Sequence, residues 1–78
     1  MSAVSFAQSD SSTLFLQKGI EEKGKGRALE AYKQFDKAYS YNKTDKEVLN
    51  ELANSLLSLR RYPQAREKFL ELEKLGDK

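Results

Sequence analysis

With 78 residues the chain has room for one small domain, whose modest core needs efficient local packing or a partner for its stability. Cysteine and histidine are both absent, which excludes disulfides, thiolate zinc sites, cysteine nucleophiles and every mechanism that requires an imidazole. Fourteen Lys and Arg stand against 12 Asp and Glu, a formal charge of +2 with the signs interleaved, which describes a solvated surface and not the one-sided basic face of a phosphate binder.

Residues 1–11 carry small and hydroxyl side chains without helical periodicity, and two readings stand for them. One is a disordered N-terminal tail. The other takes Ser5-Phe6-Ala7 as the small-spacer-alanine pattern left of a signal-peptidase cut at Ala7–Gln8. The charged and most of the apolar part of such a leader are missing, so residues 2–8 would be the remnant of a truncated secretory signal. That reading places the protein in the periplasm or outside the cell; without it the chain reads as cytoplasmic.

Four helices are expected after the tail. Ser11 or Ser12 can cap the first, whose apolar residues are Leu14, Phe15, Leu16 and Ile20, and Gly24-Lys25-Gly26 breaks it. The second runs from near Arg27 to about Tyr41, with Ala28, Ala31, Tyr32, Phe35, Ala38 and Tyr39 on one face and Asn42 as a left-handed stop. Thr44 and Glu47 form a capping box for the third, which carries Val48, Leu49, Leu52, Ala53, Leu56, Leu57 and Leu59 and is the expected core helix. The fourth opens at Pro63, shows Ala65, Phe69, Leu72 and Leu75, and ends at Gly76. No segment has the roughly 18 uninterrupted apolar residues of a membrane span.

The chain also repeats itself. Ala31 and Phe35 recur 34 positions later as Ala65 and Phe69, Arg27 recurs as Arg61, Gly19 is echoed by Ala53 and Asn42 by Gly76. Leu49-x-x-Leu52-Ala53-x-x-Leu56 followed by Ala65-x-x-x-Phe69 resembles the tetratricopeptide repeat, and Phe15-x-x-Lys18-Gly19 with Ala31-x-x-x-Phe35 falls in the same frame. The resemblance implies an all-α fold: two antiparallel helix-turn-helix hairpins stacked as a short right-handed α-solenoid, one repeat at 12–45 and the next at 46–78. Small residues at 19, 31, 53 and 65 would lie where helices cross, with the two phenylalanines beside them.

Four positions depart from the pattern, one of them Asp77, which replaces the terminal proline at a loose position. Lys18 and Glu22 are polar where an internal repeat is apolar, which suits a first repeat facing water. Arg60 replaces the turn glycine that matches Gly26; a left-handed arginine costs of order 1 kcal/mol, which leaves room for a turn of another shape. The second unit stops one residue short, so the chain is expected to be either a fragment of a longer repeat protein or one that self-associates through Phe69, Leu70, Leu72 and Leu75.

The resemblance implies a non-catalytic protein-binding scaffold or adaptor, whose groove is lined by Thr13, Leu16, Ile20 and Lys23 of the first helix and by Glu47, Asn50, Asn54 and Leu57 of the third. The leucines and Ile20 suit apolar side chains of a peptide, or else plain core packing; the asparagines suit its backbone, or else a solvated face. Members that grip acidic chaperone tails use Lys, Asn and Asn where this chain has Leu16, Ile20 and Glu51, so no such tail is expected to bind. The alternative function is assembly, with itself or with further repeats, through the end of the solenoid. A third, weaker reading is nucleic-acid binding at the Arg60-Arg61 turn, with Tyr62 and Arg66 nearby, although Glu67 and Glu71 follow on the same helix. No catalytic motif, metal-ligand spacing or cofactor signature occurs.

Overall fold

A computed structural model describes residues 7–76. The chain forms four helices, α1 (Ala7–Gly24), α2 (Ala28–Tyr41), α3 (Lys46–Ser58) and α4 (Tyr62–Gly76), with no strand among the described residues. Consecutive helices pack on one another, α1 on α2, α2 on α3 and α3 on α4, giving an all-α stack of two hairpins. The first hairpin is antiparallel: Ser12, early in α1, meets Ala38, late in α2, while Gly19 meets Phe35.

α1 begins at Ala7, well ahead of Ser11 and Ser12. Residues 1–6 lie outside the described residues, as does most of the 2–8 signal remnant, but 7–11 belong to the helix and not to a tail. No Gly or Pro interrupts them, and a helix already anchored by packing extends at one hydrogen bond per residue. Ser12 is no cap; it is buried, and its Oγ donates to Ala38 O at 3.2 Å, tying α1 to α2.

Two further caps differ from expectation. Asp45, not Thr44, caps α3, its Oδ1 accepting from Glu47 N at 2.9 Å and Val48 N at 3.3 Å. A carboxylate at a helix N-terminus is favoured by charge as well as by hydrogen bonding, so it outcompetes the hydroxyl one residue earlier. Thr44 instead donates from its N and Oγ1 to Asn42 Oδ1. Asn42 is extended, with φ −148°, not left-handed; its N–H still closes α2 by donating to Ala38 O at 3.1 Å.

The two hairpin turns share their closing pair of hydrogen bonds at the 34-residue offset. Gly26 N donates to Lys23 O and Arg27 N to Glu22 O; Arg60 N donates to Leu57 O and Arg61 N to Leu56 O. This paired pattern is a Schellman ending, which places its C′ residue in the left-handed region. Gly26 has φ +80°, and Arg60 adopts φ +62° in spite of its Cβ. The arginine therefore keeps the shape of the glycine turn, held there by the helices on either side.

The core is a single cluster of Leu16, Ala31, Phe35, Ala38, Val48, Leu52, Leu56 and Ala65, with Phe15, Tyr32, Tyr39 and Phe69 packed against it. α3 is its centre, as its apolar stripe predicts, burying Val48, Leu49, Leu52, Ala53 and Leu56. Gly19 allows a close approach of α1 and α2: a Cβ there would stand 2.5 Å from Phe35 Cδ1 and 2.9 Å from Cζ. The buried Phe35 ring thus occupies the space that any other residue at 19 would fill.

Candidate functional site

The eight candidate groove residues form four pairs, 13 with 47, 16 with 50, 20 with 54 and 23 with 57, each 34 positions apart. Six of them, Thr13, Ile20, Lys23, Glu47, Asn50 and Leu57, are exposed, and Asn54 is half-buried. Leu16 is different. At 7% exposure it belongs to the core cluster with Val48 and Leu52, whereas Asn50, its equivalent on α3, is exposed. Leu16 is thus core packing and not groove.

α1 and α3 are joined across the site by Lys23 Nζ and Glu51 Oε1, 2.8 Å apart, with the carboxylate side chain mostly shielded. Beside this pair lies a concavity of about 230 Å³, lined by Lys23 near the end of α1, Gly26 of the following turn, Ala28 and Ala31 from α2, and Asn54, Ser55 and Ser58 from α3. Small residues border it: Gly26, Ala28 and Ala31 leave room that larger side chains would close. Lys23 and Asn54 are the two candidates it brings together. Ile20 and Leu57, 41% and 40% exposed, stay on the surface of α1 and α3 as apolar contact points. The Lys23–Glu51 pair and the serines of the hollow were not singled out in the sequence, since partners 28 residues apart leave no local pattern.

On α4, Phe69, Leu72 and Leu75 are half-buried, Phe69 against the core, whereas Leu70 is 50% and Tyr62 58% exposed. The outward apolar surface of α4 is therefore Leu70 with Tyr62, and Phe69 supports the interior. Here α2 reaches α4 through Tyr39, whose hydroxyl donates to Glu71 Oε1 at 2.7 Å, while Lys68 Nζ bonds Glu71 Oε2 at 3.2 Å and sits 4.2 Å from the Tyr39 ring centroid. The Tyr39 hydrogen bond, with help from Lys68, lowers the Glu71 pKa. The same bond raises that of Tyr39. Burial alone would lower Lys68, but bonding to Glu71 and the carboxylate's charge outweigh it and raise its pKa.

The arginines of the second turn have structural roles. The Arg61 guanidinium lies 5.5 Å from the Tyr32 ring centroid, and Arg60 holds the left-handed turn position. At the other end Phe15 and Tyr41 stack with centroids 5.7 Å apart, flanked by Lys18 and Lys37. Among the described residues no acidic cluster could hold a metal ion, and no helix is long and apolar enough to cross a membrane.

Neither a protein family, nor a curated protein, nor a solved structure matches the chain. Its class is thus the one its own geometry defines, an all-α stack of two helical hairpins.

Proposed function

We propose that this chain is a non-catalytic interaction module of tetratricopeptide-like build, a scaffold or adaptor that holds an extended segment of a partner protein along α1 and α3. The observation that carries the reading is the small-residue hollow lined by residues of α1, α2 and α3, with Asn54 and two serines offering hydrogen bonds beside it. An extended peptide brings unpaired N–H and C=O groups, which amide and hydroxyl side chains satisfy, while Ile20 and Leu57 supply apolar contact. The repeated turn and the Gly19–Phe35 crossing support the family assignment.

Selection from a displayed random-peptide library tests it. Bound peptides should shift amide resonances of Ile20, Lys23, Asn50 and Asn54, and Asn54→Ala should weaken them; peptides that perturb only α4 would count against the groove. Acidic C-terminal tails should not bind, because Leu16 is buried, Glu51 is anionic and Lys23 is already neutralised by it. Micromolar affinity for such a tail would overturn that expectation.

A further inference from the structure

One surface of α4 is unused by the groove. Tyr62, Pro63, Arg66, Glu67 and Leu70 line an open hollow of about 530 Å³ to which no other helix among the described residues contributes. In the repeat frame Arg66 and Leu70 stand 34 residues after Tyr32 and Asp36. Those two α2 residues, Tyr32 half-buried and Asp36 exposed, line a hollow together with Leu52 and Leu56 of α3 and Gln64, Glu67 and Lys68 of α4. The α4 hollow thus lacks, among the described residues, the neighbouring helices that its counterpart on α2 has.

The occupant is decided by what this chain can offer. α3 meets α2 with Leu52 and Leu56; at the equivalent positions α1 carries Lys18, which is exposed, and Glu22, which pairs with Arg27. α1 of a second copy therefore lacks the apolar pair that α3 provides, and head-to-tail stacking is disfavoured. α4 complements itself instead. Turned antiparallel about a point between Arg66 and Glu67, two α4 helices set each Arg66 against the other copy's Glu67 and each Leu70 against the other's Pro63, with Tyr62 at both ends.

We propose that two copies of this chain associate tail to tail through antiparallel α4 helices, the Arg66–Glu67 pairs at the centre and Leu70 packed on Tyr62 and Pro63 around them. The contact is isologous and closes at two chains. One exposed helix from each copy buries less than the roughly 1,200 Å² of a tight complex, so the association is weak, with a dissociation constant above about 1 µM. The surface is separate from the α1–α3 groove, and its failure leaves the peptide reading untouched.

Sedimentation equilibrium of the full chain, from micromolar to millimolar concentration, should show the mass rising to that of two chains and levelling there. Arg66→Glu or Glu67→Arg alone places like charges at the centre and should weaken association by about tenfold, while the double swap restores it. Both positions are exposed, so the fold is retained, and Leu70→Gln gives an uncharged loss of the same contact. A monomer throughout, a mass that climbs past two chains, or a double swap no stronger than the singles would each overturn the proposal.

Discussion

Gly19→Ala opposes two effects of known sign. In the middle of α1, alanine is about 1 kcal/mol better than glycine by helix propensity, so a helix considered alone predicts stabilisation. The new methyl, however, would stand 2.5 to 2.9 Å from ring atoms of Phe35, which is fully buried between Ala31 and Ala38 on α2. Overpacking of a closed core costs about 1–3 kcal/mol, and with three ring atoms in conflict the upper half of that range applies. The expected net loss is about 1–2 kcal/mol, or a fall in Tm of roughly 4–16 °C for a domain of this size. Urea unfolding followed by far-UV circular dichroism measures it. Phe35→Leu in both backgrounds completes a double-mutant cycle, in which a coupling of about 1 kcal/mol or more locates the conflict at that ring. A Gly19→Ala chain as stable as the parent, or more so, would refute the close crossing of α1 and α2.

Other perturbations probe the turns, the cap and the α2–α4 contact. Arg60→Gly should stabilise by about 1 kcal/mol, because it relieves a left-handed Cβ, and Gly26→Ala should cost a similar amount at the equivalent site, both read from urea midpoints. Asp45→Ala should cost about 1 kcal/mol while Thr44→Ala stays within a few tenths, which distinguishes the observed cap from the capping box. Tyr39→Phe should cost about 0.5–1 kcal/mol at neutral pH, a figure kept small by solvent screening of the half-exposed Glu71. Because Glu71 binds its proton less tightly in the folded chain, that contribution is present above the carboxylate range and is lost as the pH falls through it. The raised Tyr39 and Lys68 values add stability that persists below their ordinary ranges and is lost as the pH rises through the shifted ones. Parent and variant should therefore converge in acid, and a gap that stays constant from neutral to acid pH would show that Tyr39 acts through packing alone.

The helices, their order and the centrality of α3 were legible in the residues, because apolar spacing at three and four is a local property that burial follows directly. The 34-residue recurrence of small residue and ring likewise foretold the Gly19–Phe35 crossing. Cap details were not: Thr44 and Asp45 are both good caps, and only the path of the α2–α3 connection, with Asn42 folded back on Thr44, puts Asp45 at the helix start. The candidate groove was half legible. Frame arithmetic found surface positions, but whether Leu16 faces a partner or the interior depends on how the helices pack around it.

The sequence by itself thus determined the elements and their repeat, since both rest on periodicities short enough to be written in neighbouring residues. The tertiary structure alone decided that Arg60 takes a glycine's conformation, that Lys23 reaches Glu51, that Tyr39 joins α2 to α4, and that Leu70 and not Phe69 faces outward on the last helix. Each of these depends on which helix lies beside which, a relation between distant residues that no local pattern carries.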